Sequence, residues 1–175
     1  MKFLYSILFF ALPFLSMAQE KASIGMSLAQ VKHIYPNAQV DSNENGITLS
    51  RPDTCYQLDG TWGYRFKEDK LMWIFFHRSF KEIDGTNFQK CLSSTRQLIK
   101  DFTHFYGKAD TALPGDTTFI DPVKHRHWGY NVLEARWKNF NGMKIKIQFD
   151  FLGGKGDYAF LVIINYFDKD YPYYD

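Results

Sequence analysis

Asn141-Gly142 followed by Met143-Lys144-Ile145-Lys146-Ile147-Gln148-Phe149-Asp150-Phe151 is the stretch that decides the fold. Asn-Gly is the strongest short hairpin signal, because both residues accept the positive φ of a tight two-residue turn. The alternation after it, apolar at odd numbers and polar at even ones, is a strand with one buried and one wet face. Asn131 to Phe140 supplies the first arm of the hairpin. Downstream, Gly153-Gly154-Lys155-Gly156-Asp157 is a turn, and Tyr158 to Phe167 returns as a further strand. Its run Phe160-Leu161-Val162-Ile163-Ile164 is apolar on both faces, so it is expected to be central or covered by a second layer.

The same grammar holds upstream. Gly46 to Arg51 reads as a short strand, and Trp62 to Lys67 and Leu71 to Phe80 flank Glu68-Asp69-Lys70 as a hairpin. Two helices accompany the strands. Ser27 is a good N-cap with Gln30 placed to close a capping box. Leu28, Val31, Ile34 and Tyr35 share a face, and Pro36 ends the helix. A second helix is predicted over Phe88 to Tyr106, with Leu92, Leu98, Ile99, Phe102, Phe105 and Tyr106 as its stripe and Gly107 as its C-cap. Consecutive hairpins make an antiparallel sheet, and two amphipathic helices cover one face of it. The expected class is α+β, a two-layer sandwich. Gly107 to Arg126 is expected to be a long loop, and the tail from Asp168 to Asp175 to be frayed.

A weak internal repeat runs through this pattern. Ser27 to Ala38 aligns with Leu98 to Ala109, matching Val31 with Phe102, His33 with His104, Ile34 with Phe105, Tyr35 with Tyr106 and Ala38 with Ala109. Residues 23–82 and 88–168 then read as two half-repeats of one helix-plus-hairpin unit within a single domain over 19–175.

The first 18 residues have a different character. Lys2 is followed by the apolar run Phe3 to Leu15 and the small-x-small exit Ser16-Met17-Ala18, the pattern of a cleavable signal peptide with Gln19 as the new N-terminus. A membrane span needs about 20 apolar residues, more than this run offers. The exit carries no cysteine, which argues against a lipid anchor. The expected location is therefore the periplasm or the outside of the cell. A net charge of +2 lacks the basic excess of a nucleic-acid binder. Aromatic residues at 18% suffice for a dense core and exclude extensive disorder. In an oxidising compartment Cys55 and Cys91 allow one disulfide, and two buried thiols are the other reading.

Ile24-Gly25-Met26-Ser27-Leu28-Ala29-Gln30-Val31, with Tyr35-Pro36 after it, resembles the helix start of the small outer-membrane-assembly lipoproteins (SmpA/OmlA-like) and of the β-lactamase-inhibitor proteins. Trp62-Gly63-Tyr64-Arg65-Phe66 and Leu71-Met72-Trp73-Ile74-Phe75-Phe76 resemble their hairpin. The likeness covers mainly the first half of the chain. It lacks the lipidated cysteine of the first family, and the second half has no Gly-Met start. The resemblance implies an exported helix-plus-sheet module that binds other proteins and does no catalysis. It transfers no binding residues.

Chemistry is sparsely signalled. There is no nucleophile elbow, no His-Glu-x-x-His helix and no phosphate-binding loop, and no motif calls for a cofactor. His125-Arg126-His127-Trp128 is the conspicuous polar cluster. His125 and His127 on an extended segment point the same way, as two metal ligands would, with Asp116 or Asp121 as partners, but the spacing fits no zinc pattern. Read instead as a contact patch, Arg126 and Trp128 are typical interface anchors. Tyr171, Tyr173 and Tyr174 form a second candidate, an aromatic tail. Asp110-Thr111-Ala112 and Asp116-Thr117-Thr118 resemble O-glycosylation sites of some bacterial envelopes. The expected function is an exported, non-enzymatic module binding a protein or envelope component through the outward sheet face and these patches. The alternatives are a small hydrolase or metal enzyme using His125 and His127, or a binder of a small lipid or sugar.

Overall fold

Ser27 starts the first helix by two reciprocal hydrogen bonds. Its hydroxyl accepts from the Gln30 amide, and the Gln30 side chain accepts from the Ser27 amide. In the computed structural model of the chain, which describes residues 22–44, 46–114, 118–124, 129–140, 142–154 and 157–171, this helix is α1, Leu28–Ile34. Its N-terminus is also tied to the sheet, because the carboxylate of Asp69 accepts from the Leu28 amide at 3.0 Å. The second helix, α2, is Gly85–Tyr106, three residues longer at its start than the apolar stripe predicts. Asp84 accounts for the extra turn: its side chain accepts from the Asn87 amide at 2.7 Å and caps the helix before the stripe begins. Gly107 ends α2 at φ 81°.

Among the described residues eight strands form one antiparallel sheet: β1 (Gln39–Asn43), β2 (Gly46–Cys55), β3 (Leu58–Lys67), β4 (Lys70–Phe80), β5 (Thr111–Leu113), β6 (Gly129–Phe140), β7 (Met143–Gly154) and β8 (Asp157–Asp168). Their spatial order is β1-β2-β3-β4-β8-β7-β6-β5. The chain thus runs helix, four-strand meander, helix, four-strand meander, and the last strand of each meander pairs with the other. The central strand expected from the two-faced apolar run is β8, bordered by β4 and β7.

Three features differ from the sequence reading. The edge strands β1 and β5 do not stand out in the sequence because they are short and exposed, as edges often are. β5 interrupts what reads as one long loop. The β2–β3 turn also went unseen. Tyr56 and Gln57 adopt φ of 48° and 64°, the backbone of a tight hairpin turn, without the Gly or Asn that usually marks one.

One row of side chains shows how the helices cover the sheet. Leu49, Tyr64, Ile74, Tyr166, Ile145 and Trp137 are in register across six strands, and all but Tyr166 are buried. Tyr35, just beyond α1, stacks on Tyr64 at 5.2 Å. Phe102 of α2 contacts Trp137 and Tyr166 at 5.9 and 6.3 Å. Farther back, Phe88 packs against Phe149 and Phe160. Both helices therefore bury the same sheet face.

Cys55 and Cys91 are both buried and no disulfide joins them, so the bridge that their number allows is absent from the structure. They meet different parts of the helix layer. Cys91 faces inward from α2, while Tyr56, the neighbour of Cys55, packs on Phe102 at 5.5 Å. Phe102 lies about 16 Å farther along the helix axis than Cys91 at 1.5 Å rise per residue.

Candidate functional site: the open face of the sheet

The sheet face opposite the helices has no covering layer among the described residues. Register fixes what it displays. One row reads Thr61, His77, Ile163, Gln148 and Glu134; the next, Gly63, Phe75, Asn165, Lys146 and Arg136; the third, Arg65, Trp73, Phe167 and Lys144. An aromatic and aliphatic column on β4 and β8 thus lies beside a charged column on β7 and β6.

The apolar column floors an open groove of about 960 Å³. Trp73 lies 4.6 Å from Phe75 and stacks on Phe167 at 5.5 Å; Phe75 stacks on His77 at 6.0 Å. Two features fix this floor. The indole N–H of Trp73 donates to Asn165 Oδ1 at 3.0 Å, and the Asn165 amide reaches the Lys146 carbonyl. Gly63 gives the Phe75 ring its place, since a Cβ there would overlap the ring. Burial against these neighbours lowers the pKa of His77, which favours the neutral imidazole.

The charged column is largely satisfied internally. Glu134 is 2% exposed and accepts from Arg136, from Asn131 and from Lys146, the last at 3.2 Å. Burial raises its pKa, but the two cations outweigh that and leave the carboxyl below its ordinary value. Asp150 is the opposite case. Burial pushes it up to about 6 against the pull of Gln148 and Lys146, and its Oδ1 is shut off from solvent with no hydrogen-bond partner.

The expected site residues fall differently. His125, Arg126, His127 and Trp128 lie outside the described residues, as do Tyr173 and Tyr174. Tyr171 is described, and the frayed tail expected from Asp168 onward does not begin there. Asp168 closes β8 and pairs with Lys70 at 2.9 Å. Tyr171 is 8% exposed and stacks on Phe167 at 5.2 Å, at one end of the groove. Among the described residues no three His, Cys, Asp or Glu side chains gather as a metal would need, and no helix is long and apolar enough to cross a membrane. His33 and His104 are exposed.

The outward face was expected as a contact surface, but its residues were not singled out from sequence. The signal was present in β4, where Trp73, Phe75 and His77 alternate with Ile74 and Phe76. A strand under a single helix layer has no need of aromatics on both faces. No family model, curated protein or solved structure gives a significant match to this chain.

Proposed function

We propose that the chain is an exported, non-enzymatic binding module whose open sheet face receives a segment of another protein. The aromatic groove is the observation that carries this reading. A contiguous apolar strip, half-buried on the floor of an open groove, is a surface that a partner can cover, and large rigid aromatics held by their neighbours lose little entropy on binding. The amino-terminal pattern supports export. The likeness of the α1 start and of the β3–β4 hairpin to the assembly-lipoprotein and inhibitor-protein families supports binding without catalysis. The recurrence of helix and meander, with Tyr35 just after α1 and Tyr106 closing α2, supports a duplicated module.

The groove volume also falls within the range of small-ligand sites, about 300–1,000 Å³, which favours a small envelope molecule as the second reading. Capture from the host's envelope fraction on the chain starting at Gln19 separates the two, with Ile163→Asp as the control. Ile163 is half-buried at the centre of the groove floor, so a charge there spoils the surface without entering the helix-side core. A protein retained by the unaltered chain and lost with Ile163→Asp is the expected result. Equal retention by both removes the groove from the reading. A small molecule found by mass spectrometry in the purified protein, with no protein retained, moves the function to the second reading.

A further inference from the structure

We propose that Asp150 and Gln148 form a proton-driven switch in the wall of the groove. With Asp150 ionised, Gln148 presents its carbonyl oxygen to the groove; with Asp150 protonated, the amide turns over and presents its nitrogen. That the turn governs a ligand rests on the open face being the binding surface; the turn itself does not.

Register places the two side chains. On β7 the even residues Lys146, Gln148 and Asp150 share the open face. Gln148 lines the groove, between Glu134 of β6 and Ile163 of β8. Asp150, two residues on, is in register with Asn131 and Leu161 and does not line the groove. Gln148 Nε2 donates to Asp150 Oδ2, so the carboxylate fixes which way the amide faces. Gln148 Oε1 has no hydrogen-bond partner among the described residues and is the amide atom left for the groove.

The other carboxylate oxygen, Oδ1, is shut off from solvent and accepts no hydrogen bond. An ionised carboxyl so placed is short of donors, and Glu134 on the next strand adds like charge. A proton relieves both. It belongs on Oδ2, because on Oδ1 it would be a buried donor without an acceptor. Oδ2–H then needs an acceptor where it faced a donor. Gln148 supplies one by exchanging Nε2 for Oε1, a half-turn about its last side-chain bond. One hydrogen bond breaks and another forms between the same two residues.

The surroundings set the midpoint. Burial raises the Asp150 carboxyl to about 6, opposed by Gln148 and Lys146 and aided by Glu134. Lys144 stands farther along the same strand, and Arg136 of β6 is held by Glu134. β8 brings the uncharged Leu161 and Ile163, with Asp157 at its far end opposite Gly154. Beyond β8, β4 carries His77 and Ser79, Lys81 shares a second groove with Leu161, and Asp59 is three strands off on β3. Above this midpoint the groove wall suits a partner's N–H or hydroxyl. Below it, the wall suits a carbonyl or carboxylate oxygen.

The experiment is a pH series by NMR on the isotope-labelled chain starting at Gln19, from about pH 4.5 to about pH 8. The Gln148 side-chain amide is assigned by its loss in Gln148→Met, or by through-bond correlation should that variant not fold. Its signals are expected to titrate with a midpoint near 6. Its nuclear Overhauser contact to Leu161, the register partner of Asp150, is expected at the basic end and lost at the acidic end. Neither change is expected in Asp150→Asn. Signals that do not titrate in this range, or that titrate with the Leu161 contact kept, overturn the switch and leave the binding surface standing. Peptides selected at about pH 7.5 from a phage-displayed random library, and lost with Ile163→Asp, are then measured at both ends of the series. Their affinity is expected to fall about three- to tenfold in acid, the worth of one hydrogen bond, and to fall less in Asp150→Asn. A turning amide with level affinities in the parent overturns its control of the ligand. A library that yields no peptide sensitive to Ile163→Asp overturns the binding surface and not the switch.

Discussion

Replacing Asp150 by Asn is expected to stabilise the protein at neutral pH, which few substitutions of a largely buried polar residue do. Burial raises this carboxyl from its ordinary 3.8 to about 6, Gln148 and Lys146 oppose the rise, and Glu134 adds to it. A folded-state pKa above the unfolded one means that the native protein holds the proton more tightly. The group therefore contributes stability that is fully present below about pH 4 and lost as the pH rises through about 6. A shift of about two units corresponds to about 3 kcal/mol between those limits. Titration with a folded pKa near 6 places about 1–2 kcal/mol of it between pH 5 and pH 7.5. Asn keeps a carbonyl oxygen for the Gln148 amide and carries no charge to desolvate. It gives up the attraction of Lys146, so the net gain at pH 7.5 is expected to be about 1–2 kcal/mol. Urea unfolding of both proteins at the two pH values measures it. His77, whose lowered pKa makes acidification unfavourable, is common to both proteins and cancels in the difference. The variant is expected to be the more stable at pH 7.5, with most of its advantage gone at pH 5. A variant less stable than the parent at pH 7.5, or a difference that does not change with pH, would refute the reasoning: the carboxylate would then be solvated or neutralised by Lys146.

Gly63→Ala is expected to cost about 1–3 kcal/mol in urea unfolding, because its Cβ would overlap the Phe75 ring and the ring must leave its stack; a variant as stable as the parent would show that the ring has a second resting place. Thr95 is fully buried in α2 with its hydroxyl unpartnered, so Thr95→Val is expected to be neutral or stabilising by up to about 1–2 kcal/mol in the same assay, and a loss of more than that would mean the hydroxyl has a partner. Burial pushes the Cys91 thiol up to about 12, and Cys55 is buried too. Neither thiol is expected to react with a thiol reagent at pH 8 in the native protein, and both should react in guanidinium without prior reduction. A single bridged species by intact mass would contradict the two unbridged cysteines.

Much of the fold is legible in residues whose chemistry acts locally. The Ser27 to Gln30 box and the alternation from Met143 to Phe151 each specify their element within a few residues, and both elements stand where they were expected; Asn141 of the Asn-Gly turn lies outside the described residues. The failures share a cause. β1 and β5 have no apolar alternation, because edge strands paired on one side bury little. Their existence comes from β2 and β6 offering a free row of backbone donors and acceptors. The turn at Tyr56 and Gln57 carries no turn residue either. Its positive φ values go with Tyr56 packing on Phe102, a contact set by the helix layer. The N-terminal turn of α2 depends on Asp84, a cap separated from the apolar stripe that marks the helix.

The open face was hard to read for a different reason. From Phe160 to Ile164 on β8 the odd residues Leu161 and Ile163 and the even residues Phe160, Val162 and Ile164 are equally apolar, so this run distinguishes neither face as core. Only strand order does. β8 lies between β4 and β7, which stacks its odd residues beside Trp73, Phe75 and His77 and beside Lys144 and Lys146. β7 reaches β8 by a short connection, but β4 is separated from β8 by α2 and three strands, and no local periodicity links them. The polar residues followed the same logic. Asp150 alternates like any solvent-facing residue, yet it stands in register with the apolar Leu161 of the neighbouring strand and is hydrogen-bonded by Gln148, two residues back on its own. A site assembled across strands is therefore written in register, and register becomes visible only when the order of the sheet is known. That order puts an aromatic floor beside the charged column of β7 and β6, and so makes the open face the surface on which the function of this chain is first to be tested.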